Sequence, residues 1–225
     1  MMRALIFSAL AVMCLGAHCR PIDGCVRGAT RCSSHTAEIC DADGSYHELA
    51  DCDLVIESVV EDLATKRQLF DDLDRVCSDT AILATNTSTL PVVEMAMQTG
   101  NPERVCGIHF FNPAPMMPLV EIVSAITTST ETVEEARAFV EACGKDPVSV
   151  KDLAGFVVNA LLFPYLNNAV KMLDAGVASR DDIDTAMKGG CNFPMGPLEL
   201  LDLVGLDTSL SILEALYAEF RDPNY

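Results

Sequence analysis

Alternation between short apolar strands and amphipathic helices is the feature that most limits the folds open to this chain. Residues 53–60 (DLVIESVV) form a mostly apolar, β-rich run, which is typical of a strand buried on both faces of a parallel sheet. Residues 62–76 follow with apolar side chains at helical spacing. Together the two segments predict one βα unit.

The alternation continues as far as residue 151. Further strands are expected at residues 81–85, 104–110, 119–123 and 147–151. A short helix is expected at residues 91–97, and a longer one that Ser129 or Thr130 caps and Gly144 ends. This pattern predicts an α/β domain with a doubly wound sheet.

Only helical patterns remain after residue 151. We expect helices at residues 155–173, from Ser179 to the pair Gly189 and Gly190, and at residues 197–220 with a break at Gly205. The chain thus divides into a signal-peptide-like segment (1–17), a Cys-rich module (18–50), a partial sheet domain (51–152) and a helical domain (153–225), and we expect the natural helical domain to continue further.

The net charge excludes one class of partner. The formal charge is −18, and nearly all of it lies after residue 50. A nucleic-acid-binding protein would carry a basic surface, so we expect no nucleic-acid partner. A polyphosphate ligand would depend on local cationic side chains and helix N-termini, because the overall field repels it.

The first fifty residues differ from the rest. Residues 1–3 carry a positive charge and precede a largely apolar run at 4–17, which predicts a secretory signal peptide, with a buried strand or helix as the alternative. The run is too short to span a bilayer. We expect Cys25, Cys32, Cys40 and Cys52 to lie in loops and to form disulfides, with a zinc site among His18, His35 and His47, or unpaired thiols, as alternatives.

Four segments carry a family resemblance. They are NTSTL (86–90), GIHFFNPAPMMPLVEIV (107–123), GFVVN (155–159) and PMGPLELLDLVGLD (194–207). In this order and separation they resemble the 3-hydroxyacyl-CoA dehydrogenase family, over roughly residues 49–225. The resemblance implies a partial NAD-binding Rossmann-type domain followed by an all-α domain, a homodimer formed through the helices, and no membrane association once any signal is removed.

His109 is the candidate catalytic base. Oxidation of a secondary alcohol needs a group that removes the hydroxyl proton as hydride leaves, and imidazole suits this near neutral pH. Three prolines stiffen the segment after His109, and the chain then returns as a strand that contains Glu121. Glu121 can face His109, fix its tautomer and favour the imidazolium, which is the pairing that the resemblance implies.

The other candidates follow from the resemblance. Ser88 and Asn159 match substrate-binding positions, while Glu61, Lys66, Asn86 and Asn112 match positions near the nicotinamide end of NAD. The family usually has arginine directly after the asparagine that corresponds to Asn159, whereas this chain has Ala160. We assign no metal ligands, and a solvated helix start or a turn is the alternative for the polar residues.

One family feature is missing from the sequence. A dinucleotide-binding chain opens with a strand, then GxGxxG at a helix N-terminus, and no GxGxxG occurs here. We therefore expect the chain to bind NAD weakly or not at all.

Three readings remain open. The first is a cytoplasmic, NAD-dependent dehydrogenase of short-chain 3-hydroxyacyl-CoA in fatty acid metabolism, with impaired activity. The second is an exported, disulfide-bearing binding protein with an inactive dehydrogenase remnant. The third is a junction of two unrelated reading frames.

Overall fold

The computed structural model describes residues 52–225 in full. Outside them it describes only the backbone of four strands: Ala4–Phe7 (β1), Thr30–Ser33 (β2), Thr36–Cys40 (β3) and Tyr46–Glu48 (β4). Strands β2, β3 and β4 form an antiparallel sheet. Three short strands therefore lie where we expected loops, because strands of three to five residues show little alternation in sequence. The predicted signal cleavage, disulfides and zinc alternative fall on residues and side chains outside the described part.

A second, six-stranded sheet contains β1 and five strands of the fully described residues. Its elements in chain order after β4 are Leu54–Glu57 (β5), Leu63–Val76 (α1), Ile82–Thr85 (β6), Val92–Ala96 (α2), a 3-10 turn at Pro102–Arg104, Val105–Phe110 (β7), Leu119–Ser124 (β8), Thr130–Ala142 (α3) and Asp146–Lys151 (β9). The strand order is β1-β5-β6-β7-β8-β9, and all neighbours are parallel except β7 and β8. These elements match the sequence prediction closely.

Burial explains the central strands. Every residue of β5 and β6 is buried, as expected for apolar strands covered on both faces. The edge strand β9 is mostly exposed. Side chains of β5 to β8 and of α3 form one apolar cluster, so the predicted α/β domain has a continuous core.

The antiparallel step between β7 and β8 follows from the length of the connection. A parallel crossover needs a dozen or more residues, whereas residues 111–118 provide eight, three of them proline. The chain must therefore turn back beside β7. As a result, the beginning of β8 lies next to the end of β7.

Side-chain caps fix the helices of this unit. Asp62 accepts from the backbone N–H of Thr65 at 2.8 Å at the start of α1, and Ser129 caps α3 as predicted. The N-terminus of α2 is held from far along the chain, since the Asp152 carboxylate accepts from the N–H groups of Val92 and Val93 at 2.9 and 2.8 Å.

The chain divides into two compact units, Met1–Asp152 and Leu153–Tyr225. The second contains Val158–Asp174 (α4), Arg180–Cys191 (α5), Pro197–Val204 (α6) and Leu206–Phe220 (α7), which pack around a core that includes Phe163, Leu166 and Leu216. The predicted end of α5 at Gly189 and Gly190 is wrong. The helix continues to Cys191, and Asn192 ends it in the left-handed region at φ 56°. No helix within the described part of the chain is long and apolar enough to cross a membrane.

The close packing of Gly107 on β7 against Val123 on β8 can be tested by substitution. A Cβ at this position would lie 2.8 Å from Cβ of Val123, so we expect Gly107→Ala to lower the free energy of unfolding by about 1–3 kcal/mol. The matched control is Gly189→Ala in α5, where nothing lies within 4 Å and alanine should stabilise by about 0.5–1 kcal/mol. Urea unfolding measures both. Equal stability of Gly107→Ala and the unmodified chain would contradict the packing described.

Candidate functional site

The centre of the site is a cross-strand pair. His109 and Glu121 are register partners on β7 and β8, and Nδ1 of His109 lies 2.8 Å from Oε2 of Glu121. Both side chains are buried, at 4% and 1% exposure for the residues. The sequence placed these two residues opposite each other, and the antiparallel turn achieves this arrangement. A carboxylate in this position holds Nδ1–H and leaves Nε2 as the acceptor nitrogen.

Ser88 lies on the other side of the imidazole. Its Oγ is 3.1 Å from Nε2 of His109. Ser88 belongs to the segment 86–90 that follows β6, and the carboxyl ends of neighbouring parallel strands lie at the same edge of the sheet. Three residues from three strands or strand ends thus form a Ser–His–Glu series at this edge.

Asn86 connects the ends of three strands. Its Oδ1 accepts from the backbone N–H of Phe110 at 2.8 Å, and its Nδ2 donates to Oγ of Ser58 at 3.0 Å. Its own backbone N–H donates to the carbonyl of Glu57 at 2.9 Å. The amide therefore keeps the segment that carries Ser88 beside the end of β7.

Glu61 holds the same segment from the β5 side. Its Oε1 accepts from the backbone N–H of Ser88 at 3.0 Å and from the hydroxyl of Thr87. Its Oε2 lies 3.4 Å from Nζ of Lys66, and the side chain is 39% exposed. Glu61 is thus both a support for Ser88 and a carboxylate that a ligand can reach.

Lys66 forms a buried ion pair with Glu57, a residue that was not among the predicted site residues. Nζ of Lys66 donates to both carboxylate oxygens of Glu57, at 2.8 and 2.9 Å, with 1% and 0% of the side chains exposed. Glu57 also accepts from the hydroxyl of Thr85 and from the N–H of Val59 at 3.0 Å. The available signal was a lone glutamate ending an otherwise apolar strand, LVIE.

Lys145 was also not among the predicted site residues. Lys145 is buried, and its Nζ donates to the carbonyls of Ala114 and Met117 at 2.6 and 2.8 Å. These carbonyls lie in the turn between β7 and β8, which also carries Asn112 in an exposed position. Lys145 therefore fixes the shape of the turn that brings Glu121 back to His109.

Asn159 belongs to the second unit. It lies in the first turn of α4 and is buried at 8% exposure. Its predicted contact with substrate stays a prediction.

Two buried cysteines of the described chain have raised pKa values. Burial raises the pKa of Cys106, on β7, to about 12 and that of Cys77 to about 11. Cys143 is half-buried and Cys191 is exposed. Residues 52–225 contain no group of three or more His, Cys, Asp or Glu side chains placed to hold a metal ion.

The geometry suits proton transfer. An imidazole that accepts at Nε2, with a buried carboxylate on Nδ1–H and a hydroxyl beside Nε2, can take a proton from an alcohol placed next to Ser88. The carboxylate stabilises the imidazolium that results. The edge of the sheet where this occurs is the usual ligand position of open α/β sheets.

Comparison with known proteins gives consistent matches along the chain. The profile described as "3-hydroxyacyl-CoA dehydrogenase, NAD binding domain" matches residues 28–153, and the profile of the "C-terminal domain" matches residues 155–225. The first match begins within the segment that we assigned to a Cys-rich module. A 3-hydroxybutyryl-CoA dehydrogenase of Clostridioides difficile is 49% identical over 181 residues, which are 80% of this chain and 64% of that protein.

Solved structures agree with these matches. The crystal structure of M. tuberculosis FadB2 has a TM-score of 0.77 and 48% identity, covering 79% of this chain and 63% of the other. The (S)-3-hydroxybutyryl-CoA dehydrogenase PaaH1 of Ralstonia eutropha also has a TM-score of 0.77, with 42% identity, covering 79% and 62%. The chain therefore spans less than two thirds of the length of these relatives. On the two profile matches and these identities, the chain belongs to the 3-hydroxyacyl-CoA dehydrogenase family.

Proposed function

We propose that this chain catalyses the NAD-dependent oxidation of a short-chain (3S)-3-hydroxyacyl-CoA, such as 3-hydroxybutyryl-CoA, to the 3-oxoacyl-CoA. The observation that carries the proposal is the Ser88–His109–Glu121 series, with contacts of 3.1 and 2.8 Å. Relatives named 3-hydroxybutyryl-CoA dehydrogenase, 47–49% identical to this chain, support the substrate class. A place in fatty acid oxidation follows from that substrate.

The residues of the site divide the work of the reaction. Nε2 of His109 accepts the hydroxyl proton while Ser88 Oγ orients the substrate oxygen, and Glu121 stabilises the imidazolium. The low exposure of His109 and Glu121 excludes water and strengthens their interaction. NAD, when bound, takes the hydride from C3 of the substrate.

The described residues fit the nicotinamide end of NAD better than its pyrophosphate. Glu61 and Asn112 are accessible polar groups at the carboxyl edge of the sheet, and we assign cofactor binding to them together with Lys66 and Asn86. Asn159 is assigned to the substrate. The pyrophosphate would need a glycine-rich turn at a helix N-terminus, and the sequence has no GxGxxG.

The proposed dimer surface is an exposed apolar stripe on the helical unit. Leu206, Leu210 and Tyr217 recur at helical spacing on α7, and they are 66%, 58% and 45% exposed. On α4, Leu161 is 72% exposed. Such apolar stripes mark interaction surfaces, and we assign this one to a second copy of the chain in a cytoplasmic homodimer.

Removing the base should abolish most of the turnover. We expect His109→Gln to lower kcat for acetoacetyl-CoA reduction by about 10²–10⁴-fold, because proton transfer loses its carrier. Glu121→Gln should lower it by about 10–100-fold, because the ring loses its orienting partner. The decrease in NADH absorbance measures both, and Glu131→Gln, an exposed carboxylate on α3, is the control. An unmodified chain without turnover at millimolar NADH would contradict the proposed function.

NAD binding gives a separate test. We expect calorimetric titration with NADH to show no saturation at micromolar concentration, since no GxGxxG cradle contributes backbone N–H groups to the pyrophosphate. Saturable micromolar binding would show that another segment of the chain supplies those donors, and the expectation would then be wrong.

The proposed dimer can be tested by placing a charged side chain on the exposed apolar stripe of α7. Leu210→Glu should shift the chain towards the monomer in sedimentation velocity, because a carboxylate would be desolvated in the interface. Ser211→Glu, on the next exposed residue, is the matched control and should leave the distribution unchanged. A monomeric unmodified chain at all concentrations would rule out the proposed surface.

A further inference from the structure

Glu57 uses its carboxylate within the protein. It is fully buried at the end of β5, where it accepts from Nζ of Lys66, the hydroxyl of Thr85 and the N–H of Val59. These donors come from the last residue of β6, from α1 and from the connection between β5 and α1. A buried carboxylate with this many donors is held in one orientation.

Lys66 links two carboxylates of different exposure. Its ammonium, 1% exposed, lies 2.8 Å from Oε1 of Glu57 and 3.4 Å from Oε2 of Glu61. A buried ammonium requires a compensating negative charge, which the buried carboxylate of Glu57 supplies. The carboxylate of Glu61, on the other hand, is partly exposed at the site. The position of Lys66, and through it the position of Glu61, therefore depends on Glu57.

Glu61 connects Lys66 to Ser88 and His109. Its Oε1 accepts from the backbone N–H of Ser88 at 3.0 Å, and Ser88 Oγ lies 3.1 Å from Nε2 of His109. A continuous path of contacts thus runs from Glu57 through Lys66, Glu61 and Ser88 to the imidazole. No part of the proposed proton transfer uses Glu57 or Lys66 directly.

We propose that Glu57 is a positioning residue, which sets the contact between Ser88 and His109 through Lys66 and Glu61. Lys66 then serves the cofactor edge by fixing the carboxylate of Glu61. This role rests on the proposed dehydrogenase function.

The described chain offers a buried ion pair for comparison. Arg104 donates to Asp74 at 2.7 Å and to the carbonyl of Ala81 at 3.1 Å, next to the beginning of β6. The pair is also buried on the arginine side, with 6% exposure, but it contacts none of the proposed site residues. A purely structural ion pair should therefore behave as Asp74 and Arg104 do.

The experiment compares Glu57→Gln with Asp74→Asn. Glu57→Gln should accelerate amide hydrogen exchange at Ser88, lower kcat by about 10-fold or more and leave KM for acetoacetyl-CoA nearly unchanged, because the 86–90 segment loses its support. Asp74→Asn should lower the thermal midpoint without changing exchange at Ser88 or kcat. Adding Lys66→Met to Glu57→Gln should restore part of the stability by removing the uncompensated ammonium, but not kcat.

The two arms separate failure of this inference from failure of the proposed function. Amide exchange needs no turnover, so an inactive unmodified chain would overturn the dehydrogenase proposal while exchange at Ser88 still tests the path of contacts. Unchanged exchange at Ser88 in Glu57→Gln, with a loss of stability like that of Asp74→Asn, would overturn the positioning role.

Discussion

The antiparallel pairing of β7 and β8 is the constraint on which the site depends. It places Glu121 directly opposite His109, and a shift of one residue in register would turn one side chain to the other face of the sheet. Two features keep this register: the short proline-containing turn, and the ammonium of Lys145, which holds two of the turn's carbonyls. A pair of side chains on two strands of one sheet is held more rigidly than a pair on loops, which favours the proposed proton transfer over a short distance.

Each buried carboxylate at this edge of the sheet lies next to a cationic group or a hydrogen-bond donor. A strongly acidic chain can therefore bury carboxylates here. Glu57 and Glu61 lie on either side of Lys66, and Glu121 contacts a ring that becomes cationic during the proposed oxidation. Each buried carboxylate thus has a donor close by, which offsets the cost of desolvation. The formal charge of −18 says little about such a site, because the arrangement within a few ångströms dominates.

The sequence predicted the strands and helices from β5 onward, because their periodicity is local. It also predicted the His109–Glu121 pair, through the family resemblance. It did not predict contacts between distant side chains. Lys145 reaches the turn 28 and 31 residues earlier, and Asp152 caps a helix 59 and 60 residues earlier. No local pattern records such partners. The two glycines in α5 also misled the prediction, since glycine in a helix costs only about 1 kcal/mol relative to alanine and Asn192 provides the left-handed end two residues later.

Strand β6 shows why the proposed chemistry lies at one end of the sheet. Buried charges hold it at both ends: Arg104 donates to the carbonyl of Ala81 before the strand, and Glu57 accepts from the hydroxyl of Thr85 at its last residue. The first contact closes a turn in which the N–H of Ala81 donates to the carbonyl of Ser78 and the N–H of Thr80 to Oγ of Ser78. Beyond the second contact, the segment after β6 places the hydroxyl of Ser88 beside an imidazole. The two ion pairs therefore differ in consequence, and the residues that follow each strand determine which end of the sheet holds the proposed site.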